Sequence, residues 1–290
     1  MSASPRSPHA GTKAATQAAT KTEVSSARRR VHDACLRMVS DGLVVASSGN
    51  ISVRTSLTSF VVTAGGVPYN LLQPGNHPEV STVDGSFTGT HRPTSELELH
   101  LALYRSLPEV GAIVHTHSRY AAAFSVAGVD LPFICNENIA MHAEKVLVTD
   151  YSAPGTRDLG EEALRTFARQ PGSRAVLLAN HGVVAIAEDL ETAYNVAAQV
   201  EWVAHVLHLA ANIPVDLGPV VVLSSDVQDL IGRNYDVTIA RESSPANSGT
   251  SRRPTSPQLN SKSGSNATAK TASKGTSEAT SKTASKTASK

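Results

Sequence analysis

The residues best suited to chemistry stand together at Val114-His115-Thr116-His117-Ser118. The run Ala112 to His117 reads as a short buried strand, and residues two apart on a strand point to the same face. His115 and His117 therefore present two imidazoles side by side, which is how a sheet offers two nitrogen ligands to one metal, most often zinc. An isolated H-x-H is at least as often a surface pair or a satisfied core pair, so it needs support from elsewhere in the chain. His181 is a candidate third ligand, because Asn180-His181-Gly182 breaks one apolar run, Ala175 to Ala179, from the next, Val183 to Ile186. Glu96 and His100 lie four apart and so share a helix face. Their ordinary readings are a first-turn acid favoured by the helix dipole and a solvated or core histidine. Spacing leaves open whether Glu96 reaches the histidines.

Three stretches could hold an anion. Ser47-Ser48-Gly49-Asn50 is a tight loop between apolar runs; its amides and the Asn50 side chain are donors, although a plain turn is the simpler reading. Ala64-Gly65-Gly66-Val67-Pro68-Tyr69 is a second loop with unblocked amides, and Pro93-Thr94-Ser95 reads as a helix start, whose hydroxyls and free amides suit a phosphate. Neither a G-x-G-x-x-G after the first strand nor a G-x-x-x-x-G-K-[ST] occurs, so dinucleotide and P-loop nucleotide sites are not indicated.

The elements that must position these residues follow from periodicity. Helical spacing of Val31, Cys35, Met38 and Val39 predicts a helix over 24–41, ended by Asp41-Gly42. Strands are predicted at 60–63, 112–117, 131–134, 146–148, 175–179 and 183–186, with a hairpin inside 73–90. Helices are predicted from Pro93 to Leu107, over 118–127, over 159–169 and, capped by Asp189, over 190–211. The pattern is α/β: a three-layer α/β/α domain around a central mixed, largely antiparallel sheet.

Composition bounds the rest. Residues 1–24 and 242–290 are Ser-, Ala- and Thr-rich, the second stretch also rich in Lys, and neither has the apolar surface to offset the entropy of ordering. Disordered tails are therefore expected on either side of one folded domain, 25–241. The net charge of +1 hides a basic tail: after Ser251 come Arg252, Arg253 and six lysines against Glu278. Charge alone allows weak association with polyanions, but the tail has no aromatic residue to stack on bases, so no specific nucleic-acid partner is expected. Cys35 and Cys135 read as free thiols of a reducing compartment. No stretch is long and apolar enough to span a membrane, and a cytoplasmic location is the default expectation.

An ordered set of motifs resembles the class II aldolase and adducin family, of the fuculose-phosphate aldolase type. They are "SSGNISVR" at 47–54, "VTAGGVPY" at 62–69, "RPTSELELH" at 92–100, "IVHTHS" at 113–118 and "ANHGVVA" at 179–185. The resemblance implies one zinc ion per subunit on His115, His117 and His181, with Glu96 as the catalytic carboxylate. It implies a substrate phosphate at Asn50, Gly66, Thr94 and Ser95, and Tyr235 as an active-site tyrosine. The expected activity is a zinc-dependent lyase that cleaves a small phosphorylated ketose in a homotetramer with sites between subunits. Related reactions of the superfamily, on sugar-acid phosphates, by dehydration or by epimerisation, stand as the alternative, and a non-catalytic adducin-like role is the second. The chain departs from the family aldolase in having Gly65 for a threonine, Thr94 for a serine and Asn136 where that enzyme has its proton-donor tyrosine.

Overall fold

A computed structural model describes residues 20–214 and 218–243. The chain divides into two units, Met1–Ser244 and Pro245–Lys290, and the described residues belong to the first. The tails expected to be disordered fall mostly outside them.

Helix α1 (Lys21–Ser40) starts three residues before the predicted Val24. Thr20 Oγ1 accepts from the Glu23 amide at 3.2 Å while the Glu23 carboxylate accepts from the Thr20 amide at 2.6 Å. This reciprocal cap satisfies amides that would otherwise be orphaned. The helix ends at Asp41, and Gly42 takes the left-handed backbone (φ 72°) that turns the chain away.

Nine strands follow: β1 (Asn50–Ser56), β2 (Ser59–Val62), β3 (Glu79–Ser81), β4 (Phe87–Thr88), β5 (Ala112–Thr116), β6 (Leu131–Pro132), β7 (Lys145–Val148), β8 (Ala175–Leu178) and β9 (Gly182–Ala187). They form one sheet in the order β4-β3-β2-β1-β5-β9-β8-β7-β6. Every pairing is antiparallel except β7 with β8, so the sheet is mixed and largely antiparallel, as the sequence predicts. The remaining helices are α2 (Leu97–Ser106), α3 (Arg119–Ala127), α4 (Arg157–Arg169), α5 (Leu190–Ala211) and α6 (Ser225–Asn234). The strand expected over 131–134 is only two residues long, because the Asn138 side-chain oxygen, Oδ1, accepts from the Ile134 and Cys135 amides and turns the chain into a 3₁₀ segment, Asn136–Met141.

Two cores lie on the two sheet faces. Val31 and Met38 of α1 and Ala197 and Val200 of α5 pack with Ala112 and Val114 on one side. Leu99 and Leu103 of α2 and Leu159 and Ala163 of α4 pack with Ile113, Val176 and Val184 on the other. Strands β5, β8 and β9 are buried along their whole length, as a sheet covered on both faces requires. Each such Val, Leu or Ile contributes about 1.5–3 kcal/mol by leaving water. The period of two puts Ile113 and His115 on the α2 side of the sheet. No helix among the described residues is long and apolar enough to cross a membrane.

Candidate metal centre

The histidines gather at one end of the sheet. Strand β1 pairs with β5 so that Asn50 faces His115, and β5 pairs with β9 so that Thr116 faces Val183. Two glycines permit this close packing. A Cβ on Gly49 (φ 74°) would meet the His115 carbonyl oxygen at 2.6 Å, and one on Gly182 would meet the Thr116 carbonyl oxygen at 2.2 Å. Asn180 (φ 55°) takes a left-handed conformation at the break between β8 and β9, where the His181 amide turns back to the Leu178 carbonyl.

The strand geometry read from the sequence holds. His115 Nε2 and His117 Nε2 are 2.9 Å apart. The rings of His115, His117 and His181 are mutually 4.8 Å apart, centre to centre, and nearly perpendicular. Glu96 joins them: Oε2 lies 2.9 Å from His115 Nε2 and Oε1 lies 3.1 Å from His181 Nε2. One ligand atom from each of Glu96, His115, His117 and His181 falls within 4.8 Å of the others.

Glu96 reaches this far because α2 begins later than the sequence suggests. The helix starts at Leu97, not at Thr94 or Ser95; Glu96 is its N-cap residue (φ −99°, ψ 27°) but makes no side-chain cap. Its carboxylate turns instead to the histidines, and the Thr94 hydroxyl accepts from its amide at 3.3 Å.

These side chains demand a positive charge among them. His115 is fully buried, and its Nδ1 lies 2.8 Å from the Val183 carbonyl oxygen. A carbonyl only accepts, so Nδ1 carries a hydrogen, which leaves Nε2 to face the cluster as ligands backed by a second hydrogen bond do. Burial opposes charge on His115, yet the Glu96 carboxylate beside it raises its pKa. Burial likewise favours a neutral Glu96, but His115 and His181 outweigh it and hold that carboxyl well below the usual range. His117 is pushed down to about 4, by burial first and then by His115 and His181. Glu96 Oε1 and His181 Nδ1 are buried without a hydrogen-bond partner, the 3.1 Å approach of Oε1 to His181 being outside hydrogen-bond geometry. Three imidazoles and one carboxylate with an orphaned oxygen, gathered together, fit a divalent metal, and the donor set suits zinc.

A cavity of about 280 Å³ opens onto this cluster, and Asn50, Gly66, Thr94, Ser95, Glu96, His117 and His181 all line it. Two of the three anion stretches, 64–69 and 93–95, are joined: Ala64 bridges Pro93, Gly65 donates to the Arg92 carbonyl at 3.0 Å and Thr94 to the Thr63 carbonyl at 2.9 Å. A Cβ on Gly65 would lie 2.7 Å from the Pro93 carbonyl oxygen, so the glycine found here suits the close seam. Asn50 is 2 % exposed and spends one amide hydrogen on Glu96 Oε2, at 2.9 Å. Ser47 and Tyr69, members of the predicted anion loops, also line the cavity, as does Pro154, which has no site role in the sequence reading. Tyr69 closes a Gly-Gly-Val-Pro loop, the one hint of a structural anchor; its buried hydroxyl donates to the Gly49 carbonyl at 2.6 Å. Tyr235 is placed elsewhere: it ends α6, is 59 % exposed and does not line the cavity, and Asn136 is exposed as well.

Three histidines and a carboxylate at the end of a mixed sheet define a metal-centred enzyme site. Residues 29–208 match the family "Class II Aldolase and Adducin N-terminal domain". The chain is similar to the 5-deoxy-D-ribulose 1-phosphate aldolase of Bacillus thuringiensis serovar kurstaki, 34 % identical over 179 residues that cover 61 % of this chain and 82 % of that one. It is similar to the L-fuculose phosphate aldolase of Escherichia coli K12, 32 % identical over 202 residues, 68 % of this chain and 88 % of that one. A solved L-fuculose 1-phosphate aldolase superposes with a TM-score of 0.66 at 27 % identity, covering 73 % of this chain and 97 % of that one. The chain therefore belongs to the class II aldolase and adducin family, and within it to the class II aldolase type of lyase.

Proposed function

We propose that this chain is a zinc-dependent aldolase that cleaves a small phosphorylated ketose. The observation that carries the reading is the convergence of Glu96, His115, His117 and His181, three of which, Glu96, His117 and His181, line a cavity shared with the two joined loops. Zinc held by the three histidines would supply Lewis acidity to neighbouring hydroxyl and carbonyl oxygens of the substrate. The chain's own groups do the rest. Asn50, Gly66, Thr94 and Ser95 bind the phosphate at the cavity wall and fix the carbon chain over the histidines. Glu96 takes the hydroxyl proton as the carbon–carbon bond breaks and gives it to the carbon left by that bond, its carboxylate kept ionised between turnovers by the imidazoles beside it. Tyr235 is not among the residues that line the cavity of its own chain. Its role in this reading is played in the cavity of a neighbouring copy in the homotetramer.

The test is a zinc-loaded assay over fuculose 1-phosphate, 5-deoxyribulose 1-phosphate and a sugar-acid phosphate, with Glu96→Gln as the blank. Release of dihydroxyacetone phosphate from a ketose 1-phosphate is expected. Turnover of the sugar-acid phosphate alone would move the same centre to decarboxylation, and no turnover by zinc-bearing protein would overturn the lyase. Light scattering on the same sample checks the tetramer.

A further inference from the structure

A second polar chain runs through the core behind the metal centre. Asn50 Nδ2 donates to Glu96 Oε2, and the other end of the same amide, Oδ1, lies 2.6 Å from His100 Nε2. His100 Nδ1 is 2.7 Å from Ser52 Oγ, and Ser52 Oγ lies in position to donate to the Tyr104 hydroxyl at 2.9 Å; hydroxyl hydrogens rotate, so Tyr104 donates to Ser52 when Ser52 donates to Nδ1. His100 and Ser52 have no exposed surface and Tyr104 is 2 % exposed, with Phe60 stacked on the His100 ring and tilted against the Tyr104 ring. The interlock follows from two periodicities: Glu96 and His100 are one helical turn apart, and Asn50 and Ser52 are two apart on β1. A histidine buried this deeply costs free energy that a leucine or phenylalanine in the same space would not. What it adds is direction. A carboxylate only accepts, so the Asn50 amide nitrogen must face Glu96, its oxygen must face a donor, and an amide has no such preference by itself. Burial pushes the His100 pKa down to about 3, so the ring is neutral and one nitrogen carries the hydrogen.

We infer that His100 is a positioning residue: its Nε2–H holds the Asn50 carbonyl, so that the Asn50 amide stays on Glu96 and aims that carboxylate at His115 and His181. His100 acts through Asn50 and does not touch substrate. The consequence for turnover rests on the aldolase reading; the sense of the hydrogen bonds does not.

Two measurements test it. In ¹⁵N-histidine-labelled protein, the signal lost in His100→Gln identifies His100, which should carry its hydrogen on Nε2 and keep it from pH 6 to 8. Turnover of a ketose 1-phosphate should fall about tenfold to hundredfold in His100→Leu with KM little changed. It should be largely restored in His100→Gln, whose amide nitrogen can still donate to Asn50. Tyr104→Phe, at the far end of the chain, should lose less, and it carries the kinetic test if His100→Leu fails to fold. A hydrogen on Nδ1, full turnover in folded His100→Leu, or equal losses in the Leu and Gln variants would overturn the proposal. If wild-type protein with zinc bound turns over nothing, the aldolase reading fails, and the position of the His100 hydrogen still decides the role assigned to it.

Discussion

The two ends of the sheet carry two cavities of opposite character. The one at the Asn50–His117 end holds about 280 Å³ and is floored by a carboxylate and imidazoles. The one at the other end, where α2 and α4 finish, holds about 710 Å³ and is walled by Leu107, Val110, Leu164, Phe167 and Ile186. Of its charged groups Glu109, Arg174 and Glu188, the last two pair with each other at 2.8 Å. The larger space is the emptier of chemistry. Reactivity follows where polar groups are buried and turned toward one another, because there each perturbs the others' protonation; volume alone predicts none of this. Both ends depend on a glycine. A Cβ on Gly111 would lie 2.0 Å from the Glu188 carbonyl oxygen, as one on Gly182 would crowd Thr116.

Substitutions at the two ends should separate function from stability. Glu96→Gln should cut turnover by about 10²–10⁴-fold while zinc stays bound, read by steady-state kinetics beside metal analysis. At the other end, Phe167→Ala should cost about 3–5 kcal/mol in urea unfolding, from lost burial and the space left behind, with zinc affinity unchanged. Gly182→Ala and Gly111→Ala should each cost about 1–3 kcal/mol through overpacking. Only Gly182→Ala should also weaken zinc, because its Cβ sits 3.4 Å from His115 Cε1. Equal zinc affinity in the two glycine variants would break the contrast between the ends.

A further effect is a pH dependence of the metal-free protein. Burial pushes His77 and His117 down to about 4 and His100 to about 3. Folded pKa values below the ordinary 6.5 mean that the unfolded chain takes up protons first. Stability is therefore intact above pH 6.5 and falls as pH drops from there toward 4, by at most about 1.4 kcal/mol per pH unit for each histidine. His115, raised by Glu96, works in the opposite sense and loses its contribution as pH rises. Urea midpoints at pH 7, 6 and 5 check this, and zinc should flatten the slope by keeping His117 from titrating. A flat metal-free curve would show that these histidines are not buried as described.

What was legible in the sequence was local. Strand alternation placed His115 and His117 on one face, and the Gly-flanked break marked His181, because a period of two and a strand end are short-range facts. The Glu96 contact was not legible from spacing: it depends on how α2 crosses β1 and on the helix starting at Leu97. The link from Glu96 through Asn50 to His100 spans about fifty residues of chain and exists only once β1 and α2 pack. The start of α1 was missed for the opposite reason. The Thr20 and Glu23 capping signal was present, but it stood in a stretch whose composition argued for disorder. The family motifs supplied Glu96 and the anion loops, and these meet at one cavity; Tyr235, supplied the same way, does not.

The central claim is that His115, His117 and His181, with Glu96 beside them, hold a metal ion. It is tested most directly by the zinc content of purified, zinc-equilibrated and dialysed protein, wild type beside His117→Ala. About one zinc per chain in the wild type and next to none in the variant is the expected result. Equal, near-zero zinc in both would contradict the metal centre and the aldolase built on it.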